Sequence, residues 1–444
     1  MAPVPASACE GLRGRGAIWT VAARDEVLRS LAELHDRAAC AYANRLLNRT
    51  HELDEIPLRT MTDLAEREGE ALLAEQADWA ASVLASHGWD PETLLPGAGA
   101  ELAPGVGALD EASYAPPGGD AHRARVDEAI GAFNARRDDG RERIPEGSEK
   151  AYATEPDADS AVYLSLDGVG AKRQKDTRPK APSEPKFVRD DRDGPPDYSR
   201  PPEPRRRPKV ETAVAHVECG GRKYVLTAES MFAACGAAIA LMLELGILRG
   251  RRLVVLSDGG VDIRTCARDL LSFCTVTVIL DWFHLRKRCC ELLSMALRGG
   301  KSNFPMQYEV KRRLFRMLWA GNVEAACAYL EGLEEEKLKC RARLEELVRY
   351  LRAREPQIAC YAVRRELGLR VSSNRVEKAN DLVVSSRQKH DGMSWSRQGS
   401  WSLAAVTALY LNHGSAGWRE SGGPPRRLYE HYGKVFEGDG PMAA

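Results

Sequence analysis

The spacing of hydrophobic residues divides the chain into three stretches of different character. Up to about residue 90, apolar residues recur at helical intervals, as in Val27, Leu31 and Leu34. Between about 161 and 280, short runs rich in Val, Leu and Ile alternate with helical patterns. From 284 to 370 the spacing is helical throughout. This order predicts an α/β fold with a mixed sheet, an α-helical N-terminal domain before it and an all-helical insertion after it.

The central stretch predicts the order strand, hairpin, helix, strand, helix, strand. The first strand begins at Ala161 and is expected to stop at the turn Asp167-Gly168. A hairpin is expected to pair 210–219 with 223–227 through Gly220-Gly221. The remaining elements are a helix at about 229–247, a strand at 252–257, a helix at 261–272 and a strand at 275–280.

Composition predicts the connections between these parts. Residues 96–119 are rich in Gly, Pro and Ala and read as a linker, and a short helix is expected near 122–136. Residues 170–208 are dense in Lys, Arg, Asp and Pro, which predicts a flexible basic loop. The expected domains are 1–155 (helical), 156–283 (catalytic core), 284–370 (insertion), 371–415 (C-terminal helical region completing the core) and 416–444 (tail).

The zero net charge conceals a division between the two parts of the chain. Residues 1–160 hold 16 basic and 30 acidic residues, whereas residues 161–444 hold 48 basic and 34 acidic residues. Such an asymmetry indicates that the C-terminal part meets a polyanion, most plausibly nucleic acid. The alternative is that the two parts attract each other.

Cysteine usage and hydropathy limit the cellular setting. None of the 11 cysteines forms a C-x-x-C pair, which predicts reduced, packed thiols instead of a disulfide framework or zinc site. No apolar run approaches the ~20 residues that a membrane helix needs. The N-terminus has no basic segment followed by an apolar one. A cytoplasmic protein without a membrane partner is therefore expected.

Three acidic residues stand at positions suited to metal chemistry. Asp167 and Asp258 each follow a predicted strand, and Glu377 lies near the start of a helix that begins about Asn374. Side chains at strand ends converge at one edge of an open α/β sheet, and carboxylates are preferred Mg²⁺ and Mn²⁺ ligands. The ordinary alternatives are turns at the two Asp-Gly pairs and, for Glu377, a capping contact with Asn374.

The surrounding residues resemble a known family, the Mutator-related DDE transposases of bacterial insertion sequences. The resemblance covers roughly 161–412, and the ordered set of motifs is more specific than any one of them. The matching blocks are Leu164-Ser165-Leu166-Asp167-Gly168-Val169, Leu256-Ser257-Asp258-Gly259-Gly260, Leu280-Asp281-Trp282-Phe283-His284-Leu285 and Ser373-Asn374-Arg375-Val376-Glu377-Lys378-Ala379, followed by Arg387, Gly392-Met393, Trp395-Ser396 and 409–412.

The resemblance implies a ribonuclease-H-like sheet with two Mg²⁺ (or Mn²⁺) ions bound by Asp167, Asp258 and Glu377. In that family the first acid lies on the first strand, the second follows the fourth strand beside it, and the third follows an all-helical insertion. The implied activity is cleavage and strand transfer of DNA at transposon ends, by a homo-oligomer associated with the nucleoid. The rivals are a related nuclease without strand transfer and a domesticated, inactive DNA-binding protein.

The resemblance also identifies Asp281-x-x-His284 with the family's C/D-x-x-H motif. Asp281 ends a predicted strand and therefore competes with Asp258 as second metal ligand. His284 is expected to orient an active-site carboxylate or contact DNA, or else to be a histidine satisfied under the insertion.

Several basic and aromatic residues are candidates for DNA binding. The phosphate candidates are Arg286, Lys287, Arg288, Arg387 and Lys389. Trp395, together with Trp401, is expected either to stack on a displaced base or to pack against the sheet, and packing is the favoured alternative. The N-terminal part lacks zinc-ligand spacing, so the element that recognises transposon ends is not identified, and the basic loop 170–208 is a candidate to close over DNA.

Overall fold

The computed structural model of the protein describes residues 58–102, 119–174, 208–274, 276–389 and 393–420. Its strands are β1 (Trp89–Asp90), β2 (Leu95–Pro96), β3 (Ala161–Lys172), β4 (Lys209–Cys219), β5 (Arg222–Ala228), β6 (Arg252–Ser257) and β7 (Val276–Leu280). The predicted helices before residue 58, residues 103–118 of the linker, residues 175–207 of the basic loop and residues 421–444 of the tail lie outside this part of the chain.

Helices surround the strands in sequence and in space. They are α1 (Leu58–Ser86), α2 (Asp120–Asn134), α3 (Glu149–Tyr152), α4 (Met231–Glu244), α5 (Val261–Asp269), α6 (Trp282–Ala296), α7 (Phe304–Trp319), α8 (Val323–Glu331), α9 (Arg341–Arg354), α10 (Tyr361–Glu366), α11 (Asn374–Asn380), α12 (Ser386–Gln388) and α13 (Arg397–Glu420), with a π-helix at Asp381–Ser385. The predicted mixed α/β fold is confirmed, and residues 284–370 hold helices and short 3₁₀ turns. No described helix is long and apolar enough to cross a bilayer.

The five-stranded sheet has the order β5-β4-β3-β6-β7. Within this sheet β3, β4 and β5 pair antiparallel, and β6 and β7 then add in parallel on the other side of β3. The predicted hairpin is confirmed: Cys219 pairs with Arg222 across Gly220 and Gly221. Both glycines have positive φ, as a two-residue type I′ turn requires.

The first strand differs from the prediction. Asp167-Gly168 does not end β3, which continues for five more residues to Lys172. The reason is tertiary, because β4 supplies hydrogen-bonding partners along the whole length, pairing Asp167 with Val214 and Lys172 with Lys209. An Asp-Gly pair favours a turn only where its backbone is not hydrogen-bonded to a neighbouring strand.

Alternation along β3 gives the sheet two different faces. Leu164 and Leu166 belong to an apolar core that includes residues of α1, α4 and α13. Tyr163, Ser165 and Asp167 point to the opposite face, where a second core is formed with helices of the 284–370 region. The candidate residues therefore lie on the face covered by the helical insertion and α11.

Helix α1 shares the first core instead of standing apart from the sheet. Leu72, Trp79 and Leu84 of α1 are buried in the same cluster as Leu164 and Leu166. Helix α1 is thus a layer on the sheet, whereas Val126 and Ala129 of α2 pack with residues of the 284–370 region.

Candidate active site

Asp167 and Asp258 are brought side by side by the parallel pairing of β3 with β6. The register places Ser165 opposite Leu256, so each aspartate lies two positions beyond a paired residue on neighbouring strands. Asp258 follows the last residue of β6 and is exposed, whereas Asp167 is half-buried. The expectation that the strand of Asp258 lies beside that of Asp167 is confirmed.

The carboxylate of Asp167 is held in place by two donors. Its Oδ2 accepts a hydrogen bond of 2.5 Å from Asn380 Nδ2, and its Oδ1 accepts one of 2.7 Å from the Gly168 N–H. Burial raises the pKa of Asp167 above its ordinary value, and the negative charge of Asp258 raises it further against the lowering effect of these bonds. The two aspartates therefore repel each other at this site.

His284 lies between the acidic groups. Its Nδ1 is 3.2 Å from Asp281 Oδ1 and 3.6 Å from Glu377 Oε1. The hydrogen bond with Asp281 raises the pKa of His284, and the charges of Asp281, Glu377 and Asp258 act in the same direction. The charge of His284 in turn lowers the pKa of Asp167. His284 and Asp167, which are 117 positions apart, thus act on one another electrostatically.

Glu377 lies on α11, one helical turn before Asn380, the residue that binds Asp167. The side chain of Glu377 is 47% exposed, so it is accessible to a ligand. Residues three apart on a helix share a face, and this places Glu377 on the side of α11 that meets Asp167. The π-helix Asp381–Ser385 follows directly. Such local changes of helix winding are frequent at functional sites.

Asp281 is fully buried and does not resemble an open metal ligand. Its Oδ1 accepts the His284 N–H at 2.7 Å, and its Oδ2 accepts the Ser373 N–H at 2.6 Å. Burial raises the pKa of Asp281, but the hydrogen bonds from His284 and Ser373 outweigh burial and lower it overall. Because both carboxylate oxygens are engaged, Asp258 is the better candidate for the second metal ligand.

The donor set fits a divalent cation by its chemistry, but not by its present arrangement. Within the described ranges, no group of three or more His, Cys, Asp or Glu side chains is positioned to hold a metal ion. Asp167 is bonded to Asn380 and Gly168, and Asp258 Oδ1 accepts the Gly260 N–H at 2.6 Å. The repulsion between the two aspartates is the feature that a cation would relieve. Ligation by Asp167, Asp258 and Glu377 would therefore require their side chains to turn toward a common point.

The basic candidates separate into accessible and engaged residues. Arg286 and Lys287 are exposed on α6, and Arg286 lies over the ring of Phe315 at 5.4 Å from its centroid. Arg288 is half-buried and donates to Glu346 at 2.9 Å. The guanidinium of Arg288 therefore already has a carboxylate partner.

Two C-terminal candidates differ from each other in the same way. Arg387 is only 1% exposed, so its prediction as a phosphate contact needs correction: the packing of α12 buries it in the interior. Lys389 is exposed. Partial burial lowers the pKa of Lys389, as does the charge of Lys209, whereas Asp167 and Asp381 act in the opposite direction. Lys389 is thus a cation close to the candidate acids.

Trp395 packs against the sheet core, as the favoured alternative predicted. Its Nε1 donates to the Gln388 carbonyl at 3.1 Å, and its ring contacts the apolar cluster of β3 and β4. Its backbone continues the sheet, with the Trp395 N–H bonded to the Lys172 carbonyl at 2.9 Å. A stacking platform for a base would require the half-buried ring to leave this position.

Sequence reasoning missed Asn380 and Ser373 as members of this site. Asn380 was detectable in principle, because it follows Glu377 by one helical turn. Ser373 opens the motif that carries Glu377, but nothing in the sequence indicated its contact with Asp281, 92 positions away.

Comparison with known proteins does not identify a family for this chain: no family model, curated protein or solved structure matches it.

Proposed function

We propose that this chain is a DDE-type DNA transposase in which Asp167, Asp258 and Glu377 are the three essential acids. One observation carries the proposal, namely the register of β3 and β6, which sets Asp167 and Asp258 next to each other at the end of their parallel pairing. Two Asp-Gly pairs without a shared role have no reason to meet in this way. The mutual repulsion of the two carboxylates adds to the argument, because an arrangement that costs folding free energy is typical of functional sites.

The topology supports the ribonuclease-H-like assignment. That arrangement has the second acid on the fourth strand, beside the first strand, and the third acid after an all-helical insertion. In this chain β6 is the fourth strand of the five-stranded sheet and the direct neighbour of β3, its first. Glu377 follows helices α6 to α10.

The chemistry proposed is hydrolysis of a phosphodiester at the transposon end, followed by attack of the freed 3′-hydroxyl on target DNA. Asp167, Asp258 and Glu377 would hold two Mg²⁺ or Mn²⁺ ions, which when bound activate the attacking oxygen and stabilise the leaving one. Asn380 orients Asp167, and His284 faces Glu377. No covalent protein intermediate is needed, so no Ser, Tyr or Cys nucleophile is invoked.

The proposed partners are DNA and further copies of this chain. The basic excess of residues 161–444 would favour DNA, and Arg286, Lys287 and Lys389 are exposed cations that could contact its phosphates. By resemblance, the active form would be a homo-oligomer acting on paired ends in the cytoplasm, at the nucleoid.

The test is Mg²⁺-dependent cleavage of DNA carrying the element's own ends. The variants are Asp167→Asn, Asp258→Asn and Glu377→Gln, with Asp381→Asn as matched control, an exposed acid directly after α11. Each of the three variants should lose more than about a thousandfold in cleavage rate, corresponding to several kcal/mol of transition-state stabilisation, while DNA affinity is retained. Asp381→Asn should cut like the wild type.

Other outcomes would assign the protein to a different class. If the wild type binds these ends but does not cut them with Mg²⁺ or Mn²⁺, the chain is a DNA-binding protein without this activity. If it cuts but never joins the 3′ end to a target, it is a nuclease. If Asp281→Ala abolishes metal binding and Asp258→Ala does not, the second acid is wrong.

A further inference from the structure

Asp281 connects, through its carboxylate and its backbone N–H, three segments that each carry a candidate active-site residue. We propose that Asp281 is a positioning residue, which through Ser373 and His284 fixes where Glu377 stands relative to Asp258. The inference rests on the function proposed above, because it gives Asp281 a role in that site. It differs from a metal-ligand role, since Asp281 acts only through other residues.

The first connection runs to His284. Asp281 is the residue before α6, and its Oδ1 accepts the His284 N–H at 2.7 Å, which caps the helix. The same oxygen lies 3.2 Å from His284 Nδ1. If Nδ1 carries the proton, that proton faces Asp281. Glu377 Oε1 lies 3.6 Å from the same Nδ1 atom. One oxygen thus sets both the start of the helix and the direction of the ring.

The second connection runs to the helix of Glu377. Asp281 Oδ2 accepts the Ser373 N–H at 2.6 Å and lies 3.2 Å from the Ser373 hydroxyl. The Ser373 carbonyl in turn accepts the Glu377 N–H at 3.2 Å. The beginning of α11 is therefore held by Asp281, and Glu377 lies one turn further along the helix.

The third connection runs to the strand of Asp258. The Asp281 N–H donates to the Ser257 carbonyl at 2.7 Å, continuing the pairing of β6 with β7 by one residue. Ser257 is the residue directly before Asp258. A fully buried carboxylate with four such contacts cannot shift without leaving N–H groups unpaired, which is costly in the interior. Asp281 is therefore a rigid junction between Asp258, His284 and Glu377.

The test uses Asp281→Asn, which keeps the size of the side chain but offers one acceptor oxygen where two N–H groups need one each. Hydrogen exchange of the backbone amides is measured in the full-length protein without DNA or metal. We expect the amides of 373–380 to exchange at least about tenfold faster than in the wild type, because the start of α11 has lost its anchor. Ser373→Ala keeps the 2.6 Å backbone bond and should exchange like the wild type.

Activity supplies the second readout. We expect Asp281→Asn to lower cleavage about 10–100-fold, the range found when a residue that orients a ligand is removed, with DNA affinity within about twofold of wild type. Thermal unfolding confirms that the variant is folded. If it is not folded, Asp281→Glu is measured in its place; the added methylene displaces both oxygens from the His284 and Ser373 N–H groups, so the same localised exchange is expected.

The two readouts separate this inference from the proposed function. Faster exchange confined to 373–380 supports the positioning role even if the wild type proves to have no cleavage activity, which would refute only the transposase. Unchanged exchange in 373–380, or cleavage by Asp281→Asn at the wild-type rate, would overturn the positioning role and leave the proposed function intact.

Discussion

At the residue scale, polar side chains extend from Asp167 along the insertion-covered face of the sheet. His216 pairs with Ser165 on that face, and Glu218 pairs with Tyr163 one step further along. Arg370 donates to Glu218 at 2.7 Å, and Arg375 is bonded to the same oxygen. Glu218 therefore has partners that compensate its buried charge, whereas a charged His216 would lie in the field of both arginines.

His216 predicts a pH dependence of stability. Burial lowers its pKa to about 4, and the charges of Arg375 and Arg370 contribute, while Glu218 opposes them. The folded protein holds His216 neutral between about pH 4 and the unfolded pKa of about 6.5. In that window the unfolded chain binds the additional proton, so stability falls as pH decreases.

Between pH 7 and pH 4.5 the free energy of unfolding should fall by about 2 kcal/mol less in His216→Gln than in the wild type, because glutamine does not titrate. The measurement is urea denaturation of both proteins at several pH values, followed by subtraction. A difference that does not change with pH would mean that His216 titrates in the folded protein as it does in the unfolded chain.

At the element scale, the contact between α1 and α13 depends on a glycine. A Cβ on Gly69 would lie 2.3 Å from Ser402 Cα, a backbone atom that no side-chain rotation can move away. The Ser402 hydroxyl donates to the Glu66 carbonyl at 2.8 Å beside this contact. The close approach joins the first described helix to the last one.

Gly69→Ala should destabilise the protein although alanine favours helices. Alanine gains up to about 1 kcal/mol over glycine in a helix, but the overlap with Ser402 should cost about 1–3 kcal/mol and separate the helices. Gly131→Ala in α2 is the matched control, because nothing lies within 4 Å of its Cβ position. Thermal unfolding should show a lower Tm for Gly69→Ala and an unchanged or higher one for Gly131→Ala. Equal effects of the two substitutions would contradict the packing.

The same two helices also cover an edge of the sheet. Asn412 of α13 donates to the Val225 carbonyl at 2.9 Å and accepts the Val225 N–H at 2.7 Å. Gln76 of α1 donates to the Thr227 carbonyl at 2.9 Å. Side-chain amides thus take the place of a neighbouring strand along β5, which protects an edge that would otherwise be open to pairing.

At the scale of the whole molecule, a buried ion pair joins the segment before the sheet to the end of the insertion. Arg364 donates to both oxygens of Glu155 at 2.8 and 2.5 Å, and Tyr163 donates to Glu155 at 2.9 Å. Arg364 also donates to the Arg370 carbonyl at 2.7 Å. The pair fixes α10 against β3. The next helix along the chain is α11, which carries Glu377.

The division of charge along the chain predicts how DNA binding depends on salt. Arg286 and Lys287 are exposed, whereas Arg288 on the same helix is paired with Glu346. If the two exposed residues contact phosphates, Arg286→Ala/Lys287→Ala should reduce the slope of log K against log salt concentration by about 2. Arg288→Ala should leave the slope nearly unchanged. Identical slopes for all three proteins would place the DNA on another surface.

Local pattern predicted most of the sheet because its strands are marked locally. Runs such as 252–257 and 275–280 are apolar and β-branched, and Gly220-Gly221 fits one hairpin turn. The end of β3 was predicted wrongly because the continuation through Gly168 and Gly170 depends on hydrogen bonds with β4, not on the residues themselves. Arg387 was predicted to contact phosphate because of its charge, and only packing decided its burial.

The sequence by itself determined the order of strands and helices, the division of charge and the identity of the candidate acids, since these follow from residue type and spacing. Tertiary structure alone decided that β3 continues past Asp167, that Asp281 is enclosed while Asp258 is open, and that Asn380 and Ser373 belong to the site. The physical reason is that burial and hydrogen bonding at this site join residues 92 to 213 positions apart. No local pattern shows that both carboxylate oxygens of Asp281 accept hydrogen bonds from His284 and Ser373, whereas Asp258 is exposed.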